Sequence, residues 1–362
     1  MSATEILTRR LFGQRLAGTP FEQPEDVVRW LGCVQSQDPI GARWSIGQRV
    51  AGCTDADVAQ ALDEGRILRT HILRPTWHYV MPEDIRWILQ VTAPRVHALN
   101  ASMYRQTELD DELLARSHAL FTAALAGGGQ LTRAELGSVL AEGGIVAEKL
   151  RLGLIVMHAE LEGLICSGAV RGKQHTYALL VERAPAAVLL DPDEALARLA
   201  RRYVSGHGPA TDRDFAWWAS LSLSQARRGL EMVKSNLRLL EHDGQQFWFS
   251  VDAQPVGSLP PVAWLLPEYD EAIWFRSLAF PDVERTRDTS SWGDRFARPI
   301  IIGTRRAGLW RRTIARTSIA LDALLFAPLT AAEQTAFDAA VDRYSTYIGL
   351  PVTVTYASNA IR

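Results

Sequence analysis

Cysteine and lysine are both scarce in this chain of 362 residues. There are three cysteines, at positions 33, 53 and 166, and among 39 basic residues only Lys149, Lys173 and Lys234 are lysine. An odd set of three cysteines with no metal-ligand spacing excludes a disulfide scaffold and gives no expectation of a bound metal. No run of about 18 apolar residues occurs, and Met1 to Thr8 lacks an apolar signal region, so the chain is expected to be cytoplasmic and to have no membrane span. A Walker-type loop, a dinucleotide fingerprint and a nucleophile elbow are all missing, which predicts a protein without cofactors. Gly127-Gly128-Gly129 precedes a capped helix and reads as a loop. A net charge of −2 excludes a uniformly basic nucleic-acid binder, so any anion site has to be local.

Two local features stand out against that background. From Gly303 to Ala320 there are five arginines (Arg305, Arg306, Arg311, Arg312, Arg316) and no acid. Near the other end, Gln35-Ser36-Gln37-Asp38-Pro39 sets two neutral amides one residue apart. The residue before a proline is disfavoured in the α region, so a helix begun near Pro24 should end by Asp38. In an extended exit, Gln35 and Gln37 point the same way. Convergent amides can hold a water and a sugar edge without adding charge. The alternative role is a helix C-terminus whose amides satisfy loose carbonyls.

One unit, helices with capping signals followed by a short hairpin, recurs three times. The first spans residues 1–98, with helices expected at 4–17, 24–36 and 55–64 and a hairpin at 66–73 and 76–80, then a helix from Pro82 to about His97. The second spans 107–182, where Thr132 with Glu135 caps one helix and strands flank Arg171-Gly172-Lys173. The third spans 191–251, with Thr211 and Asp214 capping a helix and Asp243-Gly244 turning a hairpin. This is the order of a winged helix-turn-helix. After residue 255, prolines punctuate short strand-like runs, and a helix at 330–347 and a strand at 352–356 close the chain. The fold class expected is therefore α+β, three winged units followed by a small β-rich, barrel-like domain.

The assembly resembles the AlkZ-like family of winged-helix DNA glycosylases, which unhook alkylated bases and interstrand crosslinks. The resemblance rests on Gln35-Ser36-Gln37-Asp38-Pro39, Thr70 to His78, Gly208-Pro209-Ala210-Thr211 with Asp214-Phe215-Ala216-Trp217, Leu265 to Glu271, and Gly308 to Arg312. It implies that Gln35 and Gln37 are the catalytic pair, although Ser36 stands where the family usually has an aliphatic residue. A cationic N7-alkylpurine leaves without a strong general acid, so the remaining work is to stabilise the sugar and orient a water. A carboxamide can accept from that water and donate to a sugar or phosphate oxygen. Asp38 is a candidate for positioning the water or sugar, or a turn residue ahead of Pro39. For DNA binding the candidates are His71, Arg74, His78, Arg305, Arg306, Arg311 and Arg312, with Trp77, Trp217 and Trp218 read as packing residues. The partner expected is duplex DNA carrying alkylated or crosslinked bases, bound by a monomer. The alternatives are a non-catalytic winged-helix regulator and a resistance protein that sequesters an alkylating metabolite.

Overall fold

The computed structural model describes residues 1–253, 259–284, 292 and 298–357. The expected boundary at Gln254–Pro255 falls outside them. The fold is mixed α+β. Within it one connectivity occurs three times: a helix, a short strand, two helices, then two strands of which the second pairs with the first short strand.

The first occurrence follows helix α1 (Ala3–Gly13) and comprises α2 (Pro24–Leu31), β1 (Cys33–Gln35), α3 (Pro39–Gly47), α4 (Asp55–Asp63), β2 (Leu68–His71) and β3 (Trp77–Val80), in the sheet order β1-β3-β2. Helix α5 (Ile85–Gln106) leads to the second: α6 (Asp111–Leu125), β4 (Leu131–Thr132), α7 (Arg133–Glu142), α8 (Lys149–Leu161), β5 (Ile165–Ser167) and β6 (Thr176–Leu179), in the order β4-β6-β5. After a single turn, α9 (Leu180–Arg183), come α10 (Pro192–His207), α11 (Asp212–Trp218), α12 (Leu223–Met232), β7 (Leu237–His242) and β8 (Gln245–Ser250). Here the first strand shrinks to one antiparallel bridge, Ala210 to Trp248.

Capping chemistry sets the helix starts. Thr132 and Thr211 each accept from the backbone three residues on while Glu135 or Asp214 returns the bond, a capping box in both. The chain ends in β9 (Ala263–Leu265), β10 (Arg298–Ile302), β11 (Arg305–Ile314), β12 (Ile319–Leu325), α13 (Ala331–Ile348) and β13 (Val352–Tyr356), with the five strands ordered β13-β12-β11-β10-β9. Among the described strands only β12 and β13 run parallel, with α13 as their crossover.

One core joins the first helical layer to this sheet. Trp44 of α3 lies 5.0 Å from both Tyr344 and Tyr347 of α13, and Trp310 of β11 is fully buried beside them. Arg49 and Asp270, both fully buried, pair at 2.7 Å across the same junction.

Several elements differ from the sequence reading. Helix α2 stops at Leu31, not near Gln35, because Gly32 takes φ +84° as its C-terminal cap. Pro39 opens α3 rather than marking the end of a helix. Helix α5 runs through Pro94 to Gln106 instead of ending at His97.

Candidate active site

Because α2 ends early, Gln35 lies on a strand and not on a frayed helix. It is the last residue of β1, directly opposite His78 in the β3 ladder, and its side chain is buried at 7% exposure. Its Oε1 accepts from the Arg74 guanidinium at 2.8 Å. Arginine only donates, so this contact fixes the amide's orientation and leaves Nε2 free of that bond. Arg74 also donates to the Trp218 carbonyl at 2.8 Å and to His78 Nε2 at 3.1 Å.

His78 is fully buried, and burial, followed by the Arg74 charge, pushes its pKa down to about 3. The neutral ring donates from Nδ1 to the Thr76 carbonyl at 3.0 Å and offers the Nε2 lone pair to Arg74.

Behind Gln35 sits a carboxylate that the sequence reading did not select. Glu271 is 1% exposed and accepts the Gln35 backbone N–H at 2.9 Å. Its other oxygen takes Trp218 Nε1 at 2.9 Å and faces His207 Nε2 at 3.3 Å. Burial favours the neutral acid, but the His207 hydrogen bond and charge, then Arg74, outweigh it and hold the pKa at about 2. Glu271 stands inside the Leu265–Glu271 motif but gives no linear signal of its own, since its partners lie 53 to 236 residues away.

Gln37, two residues after Gln35, is exposed, and its side chain has no hydrogen-bond partner among the described residues. Ser36 between them is fully buried, its hydroxyl without a partner. The first layer thus has one engaged carboxamide and one open to solvent.

Asp38 precedes α3 but caps nothing with its side chain. Its Oδ2 instead accepts from Arg312 at 3.0 Å and Arg298 at 3.3 Å, tying the Gln37 loop to the C-terminal sheet.

Arg74 reaches outward as well. It lines a groove of about 1660 Å³ that also carries Arg95, Arg213, Arg227 and Arg276, against the acids Asp212 and Glu231. Arg227 is paired with Asp212 at 2.7 Å. Arg95 and Arg213 are exposed and unpaired among the described residues. Trp217, read from sequence as a packing residue, lines this groove. Its ring lies 5.1 Å from the Arg74 guanidinium and 5.7 Å from that of Arg276, and it stacks on Trp274 at 5.5 Å. Trp274 in turn stacks on Tyr269.

Other expected DNA-binding residues are turned inward or occupied. His71 is 3% exposed, pairs through Nδ1 with buried Glu160 and packs 4.3 Å from Trp77. The expectation that a histidine of the hairpin faces DNA is therefore corrected: the ladder buries both His71 and His78. Arg305 pairs with Glu333 at 3.0 Å, and Arg306 forks onto Asp282. Arg311 points outward and donates to the Trp292 carbonyl, while Arg312 turns in to Asp38, as alternation along β11 requires. Three arginines of the run are thus paired with acids within the molecule, and α5 and α11 supply the groove with the unpaired Arg95 and Arg213.

The family profile described as DNA glycosylase AlkZ-like matches residues 28–347. A curated relative from Streptomyces sahachiroi, an interstrand DNA cross-link repair glycosylase, is 28% identical over 222 residues. That match covers 58% of each chain, so this chain spans just over half of the relative's length. The solved structure of the DNA glycosylase AlkZ from the same organism superposes with a TM-score of 0.77, covering 98% of this chain and all of that one at 19% identity. This likeness shows a common fold. With its profile spanning nearly the whole sequence, the chain belongs to the AlkZ-like DNA glycosylase family.

Proposed function

We propose that the protein is a monomeric, cofactor-free DNA glycosylase that hydrolyses the N-glycosidic bond of cationic N7-alkylated purines or unhooks interstrand crosslinks, with Gln35 and Gln37 as its catalytic pair. The observation that carries this reading is the Arg74 guanidinium, which lines the arginine-bearing groove and bonds the Gln35 carboxamide. A phosphate gripped in the groove and the sugar beside it would thereby be registered against the amide pair. Gln35, held from three sides, gives the fixed donor to the sugar edge; exposed Gln37 and Asp38 orient the water. Neutral amides are weak bases, so only a base already activated by its positive charge departs. Undamaged purines are left alone.

The threefold connectivity supports winged helix-turn-helix units at 1–98, 107–182 and 191–251, with residues 255–362 as the β-rich, barrel-like domain. The half-exposed row Trp217, Trp274, Tyr269 runs from the groove towards the Asp38 loop and suits stacking of bases unpaired around a lesion. A crosslinked base cannot swing fully out of the duplex, so a site open to solvent fits it better than a closed pocket. No described helix is long and apolar enough to cross a membrane.

The test is base release from N7-methylguanine and crosslinked duplexes by wild type, Gln35→Ala and Gln37→Ala, with duplex affinity measured alongside. Loss of release with affinity kept is expected for both variants. Release unchanged in both would move catalysis elsewhere, and wild type that binds DNA without releasing any base would favour a regulator.

A further inference from the structure

Away from the groove, three helices bring histidines together. His97 lies on α5, His118 on α6 and His158 on α8, with Glu162 one turn beyond His158. The His97 and His158 rings are 4.7 Å apart, and those of His118 and His158 are 5.1 Å apart. One donor atom each from His97, His158 and Glu162 lie within 4.8 Å of one another.

His97 Nε2 is 3.0 Å from Glu162 Oε1, yet it is buried and makes no aligned hydrogen bond. Two ligands on a tetrahedral zinc, with bonds of about 2.0–2.1 Å, stand about 3.4 Å apart, so this spacing already suits a shared cation. The outer nitrogens are also arranged for it. His97 Nδ1 is 3.0 Å from the Tyr104 hydroxyl, and His158 Nδ1 is 3.2 Å from His118 Nε2. In each ring an outer contact occupies Nδ1 and leaves Nε2 for a metal, the usual way a metal-bound imidazole is oriented.

We propose that His97, His158 and Glu162 form a binding site for a divalent transition metal of the zinc class, with Tyr104 and His118 as the outer partners that orient the two imidazoles. Two nitrogens and one carboxylate oxygen, completed by water, favour zinc, cobalt or nickel over magnesium or calcium. The ion would clamp α5 to α8, with α6 attached through the His118–His158 contact. On α5, Arg95 and Leu99 lie one turn apart on the groove side, and His97 lies about 200° round the helix from Arg95. The clamp would therefore stiffen one wall of the groove from behind without touching DNA. Linear spacing hides the site because His97, His118 and Glu162 are far apart in sequence. Only His158 and Glu162, four residues apart, leave a local trace.

The test uses the full chain dialysed against chelator and then titrated with Zn²⁺ by calorimetry, with Co²⁺ absorption as a second readout. Wild type should take up one equivalent and show the visible bands of low-coordinate cobalt. Glu162→Gln and His158→Asn should each weaken uptake at least about tenfold, and Tyr104→Phe by about tenfold. His242→Asn should bind as wild type does. Glu162 is half exposed at the surface, so its replacement leaves the fold intact and keeps the comparison sound. Absence of stoichiometric Zn²⁺ uptake by wild type, or equal uptake by Glu162→Gln and His158→Asn, would overturn the proposal. Neither readout involves DNA, so the result stands apart from that of the base-release assay.

Discussion

Replacing Glu271 with glutamine isolates the carboxylate that holds the Gln35 strand in place. In the folded chain its pKa is about 2, against an ordinary 4.5. A depressed folded pKa means the stabilisation is complete above the unfolded value and is lost as pH falls from about 4.5 towards 2. With each pKa unit worth 1.36 kcal/mol, the shift amounts to about 3 kcal/mol near neutral pH. At about pH 3.5 roughly 2 kcal/mol of it remains. Urea unfolding followed by tryptophan fluorescence, run on wild type and Glu271→Gln at both pH values, should therefore show the difference between them shrinking by about 1 kcal/mol. A stability gap equal at the two pH values would refute the assignment of a buried, ionised Glu271. The same variant faces Gln35 N–H and Trp218 Nε1 with a side chain that both accepts and donates, so base release should slow while duplex affinity holds.

The remaining predictions concern other parts of the molecule. Arg95→Glu and Arg213→Glu should each weaken duplex binding and flatten its dependence on salt by about 0.9 in log–log slope, leaving single-turnover base release at saturating protein unchanged. Asp270→Ala strands the Arg49 guanidinium in the core and should cost about 3–5 kcal/mol in chemical unfolding. Ser36→Ala removes a buried hydroxyl without a partner and should raise stability by about 1 kcal/mol, visible as a higher urea midpoint.

Much of the architecture was legible because local chemistry wrote it. Asp243-Gly244 gave the β7–β8 hairpin nearly to the residue, and the threonine capping boxes gave the starts of α7 and α11. The last strand, expected at 352–356, matches β13 residue for residue. What failed was decided at a distance. Strand β1 is three residues long and exists because β3 pairs with it, and no period of two can be read in Cys33-Val34-Gln35. The arginine run looked like a phosphate ladder because sequence shows charges without their partners, and Glu333, Asp282 and Asp38 lie 24 to 274 positions away. Trp217 read as core because neighbouring aromatics usually are; Trp218 is, whereas Trp217 opens onto the groove. Gln35 was found through a motif, but the contacts that restrain it, from Arg74 and Glu271, needed coordinates.

At the entry to the second helix, the three repeats part company in one respect. Thr132 and Thr211 spend their hydroxyls closing a helix start, whereas Asp38, at the matching place in the first repeat, turns its carboxylate across to Arg298 and Arg312. Forgoing such a closure costs about 1 kcal/mol. The two intact copies suggest that the first repeat has exchanged some local robustness for a short detour, residues 36–38, that is pinned at its far end by another part of the molecule. Variation in that detour can then reshape the surface beside the proposed amide pair while the scaffold beneath stays as it is.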